Sequence, residues 1–202
     1  TMKKIILTTI SIFLASINLN AQTIKSIYDD GLYYESGMYY KDVDNDMNKF
    51  EGTWVFENGN IKLTIVLQKR LQVYIGSPWN CYADEVIGGY KYEIGNTVIV
   101  NTIPDISLSN GYKKNTIGGS SIVSNNRPPV CTNCVADERR LLLHWKEPLS
   151  PYIMNHMMLR YYEEFNQSYI EAKLFDEASY LPEGTTVLTT RLPLGTYIMA
   201  KQ

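Results

Sequence analysis

The sequence predicts an all-β protein, a single antiparallel barrel or sandwich that follows a cleaved N-terminal signal helix. Three observations carry this. Short runs of alternating apolar and polar residues recur along the chain, with turn residues between them. Asn58-Gly59 and Gly95-Asn96 each separate two such runs, and turn pairs of this kind mark β-hairpins. Tyrosine is abundant, 16 against 5 phenylalanines, and aromatic side chains suit half-buried strands.

The chain opens with Lys3-Lys4, an uncharged apolar run over residues 5–17, and Ala21 ahead of Gln22. A cationic start, a short apolar stretch and a small residue at the exit form a secretory signal peptide. Residues 1–21 are therefore expected to be removed, and the protein to be secreted, periplasmic or held at the cell surface. The apolar run is shorter than the roughly 20 residues needed to cross a bilayer. No later segment is long and apolar enough either, so no membrane span is expected after cleavage.

Residues 22–49 read as a Tyr-rich arm. Gly31-Leu32-Tyr33-Tyr34-Glu35-Ser36 is echoed by Gly37-Met38-Tyr39-Tyr40-Lys41-Asp42, but two copies do not build a solenoid. Tyr33, Tyr34, Tyr39 and Tyr40 are the candidate surface aromatics; they either cover the following domain, the preferred reading because tyrosine suits half-buried strands, or grip a sugar. Asp42, Asp44 and Asp46 alternate like the start of a calcium loop. Met47 and Thr53 stand where that loop wants Gly and Glu, so an acidic solvated turn is expected.

Residues 50–202 are expected to form the β-domain. Trp54 and Phe56 alternate with polar neighbours, and Ile61, Leu63, Ile65 and Leu67 do the same after the Asn58-Gly59 turn. A second hairpin spans residues 86–103 with Tyr90, Tyr92 and Ile94 on one face. Residues 109–135, rich in Ser, Asn and Gly at their start, read as a long loop. Residues 140–146 resume as a strand. Residues 151–165 admit helix or strand; a third hairpin turning at residues 166–168 is preferred. A turn at 181–184, a strand at 185–191 and a closing strand at 196–201 complete the domain.

Cys81, Cys131 and Cys134 are the three cysteines. In an exported chain they are first of all disulfide partners, giving one bridge and one thiol left over, in a pairing the sequence leaves open. Cys131 and Cys134 have C-x-x-C spacing, but no strand-to-helix context supports a redox pair. No metal site is expected, because closed zinc sites show paired ligand clusters and Cys81 stands alone.

Asn48-Lys49-Phe50-Glu51-Gly52-Thr53-Trp54 resembles the opening of lipocalin-like (calycin) barrels. The chain also resembles a group of exported bacterial proteins of unknown function, which share the signal peptide, the Gly-Thr-Trp segment and a short strand ending in Lys-Gln. The calycin resemblance implies that Gly-x-Trp begins the first barrel strand and plugs the closed end. It further implies a late arginine stacked over Trp54, for which Arg160 and Arg191 are available. The long helix that usually follows such a barrel is missing from the pattern.

Chemistry is largely excluded. No nucleophile elbow, P-loop or dinucleotide fingerprint is present, and His144 alternates onto an outward strand face. Asp84-Glu85 and Glu163-Glu164 are sequence neighbours that point to opposite faces of a strand, so they read as surface charge. The basic pairs Lys69-Arg70 and Arg139-Arg140 read as solvated strand ends. The net charge of -2 gives no basic face for nucleic acid. The expectation is a non-enzymatic domain without cofactors. Its lumen, lined by Trp54, Phe56, Tyr90, Tyr92 and Trp145, would hold a small apolar or aromatic ligand, unless those side chains fill the barrel as plain core, the reading slightly preferred. The alternative is a cell-surface interaction or structural protein that binds glycan or protein through the arm and the long loop.

Overall fold

The computed structural model describes residues 22–28, 34–108, 115–150, 153, 155–176 and 189–202. The expected signal segment, Tyr33, the turn at 181–184 and most of the expected strand at 185–191 lie outside the described residues. Residues 189–191 are not in a strand.

The arm supplies β1 (Ile24–Ser26) and β2 (Tyr39–Lys41). A 3-10 turn at Asp46–Phe50 leads into β3 (Gly52–Asn58), β4 (Ile61–Ile75), β5 (Cys81–Ile94) and β6 (Thr97–Asn101). After these come β7 (Ile117–Val123), β8 (Arg140–Trp145), β9 (Asn155–Glu164), β10 (Gln167–Asp176) and β11 (Gly195–Lys201). Eight of them close an antiparallel ring in the order β3-β4-β5-β7-β8-β9-β10-β11, with Lys201 paired back to Trp54. The chain runs around this ring in sequence order, an up-and-down meander. One edge of β5 serves three partners: parallel β2 at Tyr82 and Ala83, β7 at residues 86–88, and β6 at residues 91–94.

Period-two alternation decides the inside. Leu63, Ile65 and Leu67 of β4 are fully buried, and the register places them beside Phe56, Trp54 and Gly52 of β3. The same face continues through Tyr90 and Tyr92, Leu141, Leu143 and Trp145, then Met157 and Leu159. An eight-stranded barrel of this kind has room for its own side chains or for one small ligand.

The hairpins form where the alternation breaks; the Gly95-Asn96 turn falls where expected, while the first and third turns are shifted. The first turn is Gly59-Asn60 rather than Asn58-Gly59, because Asn58 still pairs with Ile61. Gly59 has φ 60 and Gly95 has φ 59, each followed by a residue of ordinary φ, the sign pattern of a type II′ turn. The third hairpin turns at Phe165-Asn166, not at 166–168, and both residues have positive φ.

The long loop expected at 109–135 contains a strand. Residues 117–123, read as loop from their glycines and serines, form β7 and close the ring between β5 and β8. Small residues are needed there: a Cβ on Gly119 would lie 3.2 Å from the Leu142 carbonyl oxygen. Residues 124–139 remain irregular and carry the Cys131–Cys134 disulfide, while Cys81 is a buried free thiol. Arg140, expected at a solvated strand end, is buried instead. Its guanidinium donates to the carbonyls of Pro129 (2.7 Å), Arg127 (2.7 Å) and Ser124 (3.0 Å), tying the disulfide segment to β8.

One end of the barrel is plugged. Met47 and Phe50 of the 3-10 turn are buried, and the Trp54 indole N–H donates to the Phe50 carbonyl at 2.7 Å. The cation over the Trp54 ring is Lys201, with Nζ 5.2 Å from the ring centroid. Neither arginine expected there takes this place. Arg160 faces outward and binds Glu138 at 2.6 Å, while Arg191 sits at the other end of the barrel. Gly52 has φ 128, and a Cβ on it would lie 2.9 Å from Lys201 Cε, which accounts for the glycine of Gly-x-Trp.

Candidate functional site

The unplugged end draws its residues from β5, β8 and β9 and from the segments after β8 and before β11. All five lumen candidates lie on the inward face. Trp54 belongs to the plugged half, against Tyr161 at 6.3 Å, and Phe56 meets Tyr197 edge-on at 5.1 Å. Tyr92 is buried beside Leu63. Tyr90 and Trp145 pack edge to face at 5.8 Å. Asn155 stands beside Trp145 in the β8–β9 register and is buried with it.

Aromatic rings do not distinguish this layer from ordinary core, but its polar atoms do. The Tyr90 hydroxyl, the Trp145 indole N–H, both polar atoms of the Asn155 amide and the Ser150 hydroxyl are buried without a hydrogen-bond partner among the described residues. Leaving a buried polar group unpaired costs about 1–3 kcal/mol each. Native proteins nearly always satisfy such groups with protein, ordered water or ligand. Tyr90, Trp145 and Asn155 bring theirs to the inward face of the barrel, while Gln68 Oε1 and Arg140 Nε are others elsewhere.

The charge beside this layer is already matched. Glu147 is fully buried and takes the Arg191 backbone N–H at 3.0 Å, Nε at 2.9 Å and Nη2 at 2.5 Å. Arg191 Nη1 also donates to the Ile99 carbonyl at 3.1 Å, so the pair links β6, the segment after β8 and the segment before β11. Burial first, and then the Glu147 carboxylate, raise the Tyr90 pKa well above the ordinary tyrosine value, with Arg191 opposing. The site therefore offers neutral donors and acceptors, with its carboxylate neutralised internally.

Other tyrosines share this behaviour. Burial pushes Tyr197 up to about 12, and burial together with the hydrogen bond to Asp84 raises Tyr39 further. Free tyrosines titrate at about 10, so the unfolded chain gives up these protons before the folded one does. The resulting stability is complete below about pH 10 and is lost as pH rises through the folded values. Denaturant midpoints should be level up to about pH 10 and then fall toward pH 12, alongside tyrosinate absorbance. A midpoint that holds to about pH 12 would contradict the burial of these hydroxyls.

Of the two roles open to the arm tyrosines, covering the domain is the one the packing bears out, and Tyr39 and Tyr40 are not surface groups. Tyr39 and Tyr40 are buried, and Tyr34 is half-buried against Tyr40 (4.8 Å) and Trp79 (5.9 Å). They pack inward because Asp84, fully buried on β5, gathers the arm. It accepts the Tyr39 hydroxyl at 2.6 Å and the Asp42 N–H at 2.9 Å. Asp84 and Glu85 are thus structural groups rather than surface charge, with Glu85 3.5 Å from Arg70. Asp42 is not solvated either: its carboxylate receives the N–H groups of Asp46 and Met47 and the Lys69 ammonium at 2.7 Å. No group of His, Cys, Asp and Glu that could hold a metal occurs among the described residues.

Sequence reading missed Glu147, Ser150 and Asn155, and named Arg191 only for the place over Trp54. The usable signal was Asn155, a polar residue heading the inward column Asn155, Met157, Leu159 and Tyr161.

A family model described as a family of unknown function, DUF6705, matches residues 2–202, and the chain belongs to that family. No curated protein and no solved structure matches the chain.

Proposed function

We propose that this member of family DUF6705 is an exported, non-enzymatic, calycin-like barrel that holds one small uncharged ligand in the unplugged half of its interior. The observation that carries the reading is the set of buried, unpartnered polar atoms on Tyr90, Trp145, Asn155 and Ser150. A ligand with an apolar or aromatic body fits the surrounding Leu63, Met157 and Leu174, and one or two of its polar atoms would pair with those groups. A charged ligand is disfavoured because Arg191 already neutralises Glu147, leaving no second charge in this layer among the described residues to compensate it.

Support for the calycin-like part comes from the up-and-down ring, the Gly-x-Trp start and the cation over Trp54. Support for export comes from the pattern of residues 1–21.

The test pairs native mass spectrometry with a thermal-shift screen of uncharged phenols, indoles and long-chain alcohols, repeated on Asn155→Leu. The reading expects one bound equivalent in the parent protein. Asn155→Leu should lose it while melting no lower, because a buried unsatisfied amide gives way to an apolar group of like size. Unchanged binding by Asn155→Leu, or no compound bound at all, would sink the reading.

A further inference from the structure

A second concavity lies outside the barrel, between the arm and the extension of β4 and β5 past the plugged end. It is an open groove of about 740 Å³ lined by Gln22, Thr23, Ser36, Met38, Gln72 and Tyr82, with the Gly37 backbone between. Its size is that of a small-molecule site.

The groove is built around Gln72. The β4–β5 register shifts between Arg70 and Val73, and Gln72 in this bulge has φ 51, a left-handed conformation that glutamine rarely adopts. Bulges re-aim side chains beside binding sites. Here the backbone is fixed from beneath: the Gln72 N–H donates at 2.9 Å to Asp84, the same buried carboxylate that holds Tyr39 and the Asp42 N–H. The Gln72 amide thereby reaches across to the arm and donates to Gln22 Oε1 at 2.9 Å. The carbonyl half of the Gln72 amide and the NH2 half of Gln22 remain to meet an incoming group.

At the rim, Tyr74 and Tyr82 are cross-strand partners with rings 5.3 Å apart, and Tyr74 is 56% exposed. Asn80, also left-handed at φ 48, accepts the Tyr74 hydroxyl on its side chain and the Gly37 N–H on its carbonyl, both at 3.0 Å.

We infer that this groove binds a neutral saccharide. Its described lining is amides, hydroxyls, a methionine and a tyrosine, with no charged side chain among the described residues. Paired amides both give and accept hydrogen bonds, as a row of sugar hydroxyls requires. An aromatic face at the rim suits the C–H face of a sugar ring. A phosphate-bearing ligand would need lysine or arginine in the lining. A peptide adding to a sheet edge would need a longer edge than the three residues of β1.

The inference is independent of the lumen ligand, and its test keeps the two apart. Titration calorimetry with four uncharged tetrasaccharides, made of glucose joined β-1,4 or α-1,4, of mannose, or of N-acetylglucosamine, should find at least one that binds at about 1 mM or tighter. Gln72→Gly removes the amide and relieves the left-handed backbone. It should therefore weaken that binding about tenfold or more without lowering the melting temperature. Tyr74→Ala should weaken it as well, and Asn155→Leu should leave it unchanged. Failure of all four sugars, wild-type affinity in Gln72→Gly, or loss in Asn155→Leu would each overturn the inference.

Discussion

Gly88→Ala is expected to destabilise the protein by about 3 kcal/mol or more, lowering the melting temperature by about 10 °C. A Cβ at this position would lie 2.2 Å from the Val66 carbonyl oxygen and 2.9 Å from Leu67 Cδ2. The first is backbone of the neighbouring strand, which is held in register on both sides and has nowhere to go. Gly89 is also tight, though less so, at 2.7 Å from the Thr102 carbonyl oxygen. The two glycines sit where β5 passes from its pairing with β7 to its pairing with β6, and close backbone approach lets one strand serve both. Gly95→Ala is the control: open space surrounds it, so only its positive φ is penalised, at about 1 kcal/mol. Thermal melts in which the two variants behave alike would contradict this account of β5.

Arg191→Leu is expected to cost about 3 kcal/mol, because it strands the Glu147 carboxylate in a fully buried position. The arginine side chain contributes two of the contacts to Glu147 and a third to Ile99, and it pins the segment that re-enters the barrel as β11. Glu147→Leu combined with Arg191→Leu should recover much of the loss, since a buried ion pair replaced by apolar groups is often close to neutral. Chemical denaturation of the two single variants and the double variant measures this coupling. A single Arg191→Leu cost below about 0.5 kcal/mol would show that the pair is effectively solvated.

The contrast between these positions explains what the sequence made legible. Alternation over residues 61–67 and 90–94 exposed the inward face of β4 and β5, because every second residue is large and apolar. It failed at β7, where Gly118, Gly119, Ser120 and Ser121 carry almost no side chain to alternate. The smallness that hides the strand is what lets it fit against Leu142 and Leu143. The Gly-x-Trp start was readable as a local motif. The cation over Trp54 was sought among arginines, and the Lys-Gln ending of the chain supplied it instead.

Long-range partners were the least legible. What the arm tyrosines pack against was hidden because nothing near them in sequence names Asp84, whose carboxylate takes the Tyr39 hydroxyl from 45 positions away. Glu147 and Arg191, 44 positions apart, were hidden in the same way, and the prolines around Glu147 made it read as loop. Gln72 gave no signal at all, since a bulge is a property of two strands and not of one.

Electron density in the unplugged half of the barrel, at a resolution that orders single waters, tests the central claim most directly. The account predicts a bound molecule, or a chain of ordered waters in its place, within hydrogen-bond distance of the Tyr90 hydroxyl, the Trp145 indole N–H and the Asn155 amide. A dry interior in which these three groups pair with one another would contradict it.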